Sequence, residues 1–169
     1  MKVTKAIRGR RTHKAYGREP VPREILEELF ELARWAPNHH LTNPWRFRVL
    51  GPKALERLKR AAGGDSAGKL DRAPTLVVAS VTQSGKEVDD LEDLCAAAAA
   101  TYILLLAAHE RGLASYWRTP GVLRTKAGRR ALRIPADEVV LGLIHLGEPR
   151  QKRPVPARAP TADVVTYLD

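Results

Sequence analysis

The chain has 169 residues, enough for one domain with a single core of ordinary size. With 44% hydrophobic and 28% charged residues it has a globular composition, which excludes a disordered chain. The formal net charge of +10 attracts anions such as nucleic acid, acidic membrane or phosphorylated cofactors. The basic residues are nevertheless spread without a long run, and aromatics are only 5%, which argues against a nucleic-acid tail and a base-stacking surface.

Residues 4 to 11 read as a short helix that ends within Arg10-Arg11-Thr12-His13-Lys14, the densest basic spot near the start. Arginine donates in a planar fork that matches phosphate oxygens, although a solvated basic turn is the plainer alternative. Val21-Pro22-Arg23-Glu24 opens a second helix, with Pro22 near its first position and Ile25, Leu26, Leu29, Phe30, Leu32 and Ala33 at helical spacing. The pattern ends at Trp35. From Pro37 to Pro44 the chain carries Asn38, His39, His40 and Asn43, and neither helix nor central strand can run through the prolines. This is a stiff loop, either a connector or half of a ligand site.

Trp45 to Leu50 alternates as a strand. Pro52 to Ala62 reads as a helix, 63–68 as a flexible loop, and Thr75 to Val81 as a buried strand. Asp89 to Arg111 is the longest helix, acidic at its start and apolar all round from Cys95 to Ala108. That apolar run is too short to span a bilayer. Its alanines let another backbone approach, with the same helix of a second copy as one candidate and Cys95 packed there as a small hydrophobe. A short strand through Trp117-Arg118-Thr119 follows, then a basic helix over 123–132 and a buried strand over 139–147. His145 in that strand reads as a satisfied core histidine. Residues 149–163 hold four prolines, too extended to fold alone, and lead to a strand pattern over 164–168 that needs a sheet edge.

The single cysteine, Cys95, excludes an internal disulfide and a cysteine-clustered metal site. The start of the chain lacks the apolar core of a signal peptide, so the cytoplasm is the expected compartment. No nucleophile elbow, HExxH or carboxylate cluster supports hydrolytic or metal chemistry, and no catalytic side chain or metal ligand is assigned. Three basic or aromatic loops, 10 to 14, 37 to 45 and 117 to 119, flank a small α/β core and could together hold a planar, phosphorylated cofactor.

Four segments in order resemble the FMN-dependent nitroreductases. Arg10-Arg11-Thr12 is similar to that family's Arg-Arg-Ser start, and Ala36-Pro37 through Asn43-Pro44-Trp45-Arg46-Phe47 to its Ala-Pro…Gln-Pro-Trp-x-Phe segment. Trp117-Arg118-Thr119 resembles the Trp-Arg-Ser of its small, YdjA-like branch, and Leu143 to Pro149 the family's Leu-Gly-x-Pro strand end. The resemblance covers nearly the whole chain. It implies an α+β, nitroreductase-like fold over residues 1–169: a small, mainly antiparallel sheet flanked by helices, a long central helix, and an extended arm from 148 that crosses to a partner subunit. It further implies a homodimer with FMN sites built from both chains, NADH or NADPH as donor, and a small-molecule acceptor such as a nitro compound.

On that resemblance Arg10, Arg11, Thr12 and Lys14 meet the phosphate and ribityl chain, and Trp117, Arg118 and Thr119 lie at the isoalloxazine. Pro37, Asn38 and His39 come from the other subunit, with Arg158 as the best match to the further cofactor-binding arginine that some members carry on the arm. It also implies ping-pong turnover, with hydride passing from NAD(P)H through the flavin to the acceptor. Arg118, and after it Lys14, is the cation expected near flavin N1/O2. Thr12 keeps the hydroxyl of the family's serine. Asn43 replaces its glutamine, Leu41 stands where larger members have asparagine, and Trp35 where the small branch can have arginine. Two other readings remain open on the sequence: a basic nucleic-acid-binding module, and a flavin-binding protein without nicotinamide turnover. The resemblance implies no nucleic-acid partner and no membrane partner.

Overall fold

The computed structural model describes residues 2–168. It holds six helices, α1 (Val3–Gly9), α2 (Arg23–Ala33), α3 (Pro52–Ala62), α4 (Gly64–Gly68), α5 (Glu87–Glu110) and α6 (Lys126–Ala131). Four strands, β1 (Trp45–Val49), β2 (Thr75–Thr82), β3 (Ala114–Arg118) and β4 (Glu138–Gly147), form one antiparallel sheet in the order β1-β2-β4-β3. The α+β architecture with a long helix matches the expectation.

Alternation along the strands divides the core in two. Val77, Ala79, Ile144 and Leu146 face α2 and α5, where they meet Leu26, Leu29, Ala33, Leu104, Leu105 and Ala108. Leu76, Val78 and Leu143 face the opposite side, packed on Leu58, Leu70, Leu123, Leu132 and Ile134. Each fully buried leucine or isoleucine contributes about 1.5–3 kcal/mol. Among the described residues β2 is buried along almost its whole length, with helices on both faces and strands on both edges; β4, also interior, is buried over its second half.

Local chemistry sets the boundaries. Pro22 sits just ahead of α2 and Pro52 at the first position of α3, where the missing N–H costs nothing. The carboxylate of Asp90, at the start of α5, accepts the backbone N–H groups of Ser84 (2.6 Å) and Gly85 (3.2 Å). Thr125 caps α6 by accepting from Gly128 N–H at 3.0 Å.

Several expectations are corrected. Residues 64–68 form a helical turn, not a loop: Gly63 at φ 64° redirects the chain, and burial of Leu70 draws the turn against the core. The basic segment near 123–132 splits into a 3₁₀ turn (Gly121–Arg124) and α6. α5, at 24 residues, is long and apolar enough by length and composition to cross a membrane, but half of that window is buried on the sheet. One stripe of α5, Leu91, Cys95 and Tyr102, is exposed in the single chain, so the helix is not buried all round within it. Residues 164–168 form no strand: after a 3₁₀ turn at Thr161–Asp163 the segment is irregular, with Val164, Tyr167 and Leu168 exposed. A strand there needs a free sheet edge, which the resemblance would place on a partner subunit.

Candidate functional site

The turn after α1 lies along β3. Thr12 bridges Ser115 in parallel fashion, and His13 N–H donates to Ser115 C=O at 3.1 Å. Tyr16 Oη–H donates to His13 C=O at 2.7 Å and closes the turn. The structure thus joins the first and third predicted loops, 10 to 14 and 117 to 119, within one chain. Arg11 donates from Nη1 to the carbonyls of Arg8 (2.6 Å) and Arg10 (2.8 Å) and from Nε to Pro154 C=O (3.2 Å). It pins both its own segment and the start of the arm. Thr12, Lys14 and Thr119 are exposed beside it, and Arg158 is exposed on the arm.

Among the described residues, four buried side-chain polar atoms have no hydrogen-bond partner: Arg10 Nε, His13 Nδ1, Ser115 Oγ and His145 Nδ1. All four belong to this segment or to the paired strands β3 and β4 beside it. Buried polar groups are ordinarily satisfied, and each exception costs about 1–3 kcal/mol. Three of the four, Arg10 Nε, His13 Nδ1 and Ser115 Oγ, belong to the place where the segment meets β3, which is built to be completed by something polar; His145 Nδ1 lies within the core on the α3 side of the sheet.

The electrostatics point the same way. Burial, then the charge of Arg153, then His109 and Arg10, hold His13 below the ordinary histidine value. Burial, then Arg10 and Arg11, do the same to His109, whose ring fills the space beside Gly9. Burial is the larger cause in both, and the arginine charges add to it in the same direction. In β3, Trp117 Nε1–H donates to Leu141 C=O at 3.2 Å, and Arg118 donates from Nε to His145 Nε2 at 3.0 Å and from Nη2 to Lys69 C=O at 3.4 Å. Gly142 makes room for this strand. One extra residue of β4, Leu141, shifts the register there, and a Cβ on Gly142 would come within 2.5 Å of Trp117 Nε1.

The middle loop lies at the other end of α5. His40 and Leu41, both at φ 52°, and Asn43, at φ 47°, occupy the left-handed region. Non-glycine residues pay about 1–3 kcal/mol each there, and such strain clusters at functional sites. Asn38 holds the loop closed by accepting Asn43 N–H at 3.0 Å, and Thr42 Oγ1–H donates to Asp93 at 2.6 Å. His39 Nδ1 pairs with Glu92 at 2.6 Å and its ring stacks on His40 at 3.8 Å. An open depression of about 600 Å³ adjoins, lined by Arg34, Trp35, Pro37, Asn38, Leu41 and Asn43.

Glu92 tethers this loop, whereas His109 adjoins the Arg10 segment. At 1.5 Å per residue the two are about 25 Å apart along α5. One chain therefore does not bring the middle loop to the other two.

Sequence reading missed Ser115, Tyr16 and His109 as part of this locality, because strand pairing and helix docking place them and no local motif does. It took His145 as satisfied, whereas only one ring nitrogen has a partner. Register across β3 and β4 sets Tyr116 opposite His145, a pairing no single-strand pattern announces.

Comparison with known proteins adds independent findings. The model of the nitroreductase family matches residues 7–148. A "Putative NAD(P)H nitroreductase" of Haemophilus influenzae is 31% identical over 88% of this chain and 90% of its own length. A "Nitroreductase-like Family Protein" of Bacillus cereus superposes with a TM-score of 0.91 over 100% of this chain and 97% of that one at 20% identity, a likeness of fold alone. A "putative nitroreductase" of Desulfovibrio desulfuricans, solved in complex with FMN, superposes at 0.84 with 27% identity over 100% and 98% of the two chains. The matched span takes in the Arg10 segment, the strained loop and all four strands, and on it the chain belongs to the nitroreductase family.

Proposed function

We propose that this chain is an FMN-dependent oxidoreductase that uses NADH or NADPH to reduce nitro compounds or other electron-poor acceptors. The observation that carries the reading is the unpartnered buried Nε–H of Arg10, with His13 Nδ1 and Ser115 Oγ also unpartnered where the segment meets β3. FMN fits that set. Its phosphate is a match for Arg10 Nε–H and for the Nη2 of Arg11, which the segment's own hydrogen bonds leave over. Each such charge-assisted bond contributes about 1.5–3 kcal/mol. The support from relatives is the FMN in the Desulfovibrio structure and the NAD(P)H in the Haemophilus protein's name.

Bound FMN would supply hydride acceptance and donation. The chain's residues bind and orient it. Arg10 and Arg11 take the phosphate, with Thr12, Lys14 and, from the arm, Arg158 in support. Trp117 and Thr119 border the isoalloxazine, and Arg118 lends positive charge to its N1/O2 edge. Pro37, Asn38 and His39 reach the same flavin from a second copy, since the separation along α5 keeps them from the flavin of their own chain. The family's typical assembly as homodimers is consistent with this sharing. Glu92 orients His39, and the strained turn His40–Asn43 fixes where it points. The cytoplasm is the proposed compartment, with a small molecule as acceptor.

The test is steady-state kinetics of FMN-loaded protein with NADH or NADPH and a nitroaromatic acceptor. Parallel double-reciprocal lines are expected for ping-pong turnover, and intersecting lines would refute it. Flavin uptake without NAD(P)H oxidation would leave a flavin-binding protein without nicotinamide turnover. Salt-sensitive binding of nucleic acid without flavin uptake would favour the basic module instead.

A further inference from the structure

His145 is fully buried in the middle of β4, within the core on the α3 side of the sheet. Its register partners are Leu76 in β2 and Tyr116 in β3. Tyr16 stacks over the ring at 6.4 Å between centroids, and Tyr116 leans on it at 5.8 Å. The ring is thus flanked by two tyrosines.

Its Nε2 accepts the Nε–H of Arg118 at 3.0 Å. An arginine cannot accept, so Nε2 must carry a lone pair and the proton must sit on Nδ1. Nδ1 has no partner. A charged imidazolium would set N–H against N–H. The charged and titratable groups that face the ring, Arg118 and Tyr116 from β3, Arg72 from the segment before β2 and Tyr16 from the turn after α1, agree with a neutral ring. Burial, then Arg118 and Arg72, push its pKa down to about 4.

For stability alone this is a poor arrangement. A buried ring with one orphaned N–H forfeits a hydrogen bond that an apolar side chain of similar volume would never need. What the ring does provide is a fixed acceptor for Arg118, a side chain whose other grip is a long bond to Lys69 C=O.

We infer that His145 is a positioning residue: as a neutral, Nδ1-protonated imidazole clamped between Tyr16 and Tyr116, it locks the Arg118 guanidinium in place for the isoalloxazine. The inference rests on the flavin reading above. It assigns the buried histidine to that site and accounts for its half-satisfied state. The locked guanidinium favours the reduced, negatively charged form of the bound flavin, and a mobile one favours it less.

The experiment compares wild type, His145→Leu and His145→Gln, each loaded with FMN. His145→Leu is expected to lose preference for the reduced flavin tenfold, a fall of about 30 mV in the two-electron midpoint potential. Sulfite, which adds to flavin N5 and is also favoured by a fixed cation, is expected to bind at least fivefold more weakly. The melting temperature is expected to stay level or rise. His145→Gln, whose side-chain carbonyl can accept from Arg118, is expected to recover at least half of the potential. An unchanged potential in His145→Leu with a lowered melting temperature would overturn the inference, since a purely structural histidine does that. Ring ¹⁵N shifts in the wild-type apoprotein give a readout independent of the flavin and of whether the variants fold. Nδ1–H with an unprotonated Nε2 upholds the lock, and Nε2–H overturns it. Wild type that takes up no flavin would overturn the functional reading, while the ring shifts would still decide the bond to Arg118.

Discussion

Replacing Arg10 by alanine separates phosphate binding from everything else the basic segment does. Arg10 and Arg11 are adjacent and equally charged, yet their surroundings differ. Arg11 spends Nε and Nη1 on three backbone carbonyls, whereas Arg10 Nε is buried without a partner. Arg10→Ala therefore removes an unsatisfied donor from the apoprotein and is expected to leave its melting temperature unchanged or slightly raised. In the FMN complex the same change removes a charge-assisted bond of about 1.5–3 kcal/mol, which corresponds to roughly tenfold to a hundredfold weaker binding. Quenching of FMN fluorescence by apoprotein at fixed ionic strength measures this. Riboflavin, which lacks the phosphate, is the control, and wild type and Arg10→Ala are expected to bind it alike. Equal losses for FMN and riboflavin would refute the assignment, because Arg10 would then act on the ring or on the fold.

Arg11→Ala is expected to weaken FMN at least tenfold and also to loosen the arm at Pro154, seen as faster backbone exchange or proteolysis there. Gly142→Ala drives a methyl against Trp117 Nε1 and Arg118 C=O, within 2.5 and 2.6 Å, and is expected to cost about 1–3 kcal/mol in denaturant unfolding. His145 sets an acid limit on stability: its folded pKa of about 4 lies below the ordinary 6.5, so the unfolded chain binds the extra proton as pH falls between them. That contribution is present above pH 6.5 and is lost by about pH 4, on the order of 3 kcal/mol, and His145→Leu is expected to flatten the curve over that window. Glu138 acts in a lower window. Burial pushes its carboxyl up, but hydrogen bonds from Arg48 (2.7 Å, bidentate) and Ser80 (2.5 Å) outweigh this and hold it low. Its stabilisation is present above the ordinary glutamate value and fades as pH falls through the depressed one. Glu138→Ala is expected to remove that acid dependence in a denaturant series.

Much of the fold was legible because it rests on local signals. Pro52 and Gly63 bound α3 where expected, and alternation located β1. The turn at 64–68 was hidden because only burial of Leu70, a distant core contact, makes it ordered. Segment 164–168 reads as a strand by residue type, but strand formation needs a pairing edge, which residue type cannot supply. Of the candidate site, Arg10 to Thr12 and Trp117 to Thr119 were legible as motifs. Their junction through Thr12 and Ser115 was not, since a bridge between residues about a hundred positions apart leaves no trace in either segment. The left-handed backbone at Leu41 was also illegible, because leucine carries no preference for that conformation and the surrounding hydrogen bonds impose it.

Anaerobic titration of the purified protein, first with FMN and then with NADH or NADPH, tests the central claim most directly. Two FMN per dimer are expected, giving a yellow protein with the two-band flavin spectrum, and the longer-wavelength band is expected to bleach on addition of the nicotinamide. A colourless protein that fails to take up added FMN would contradict the claim.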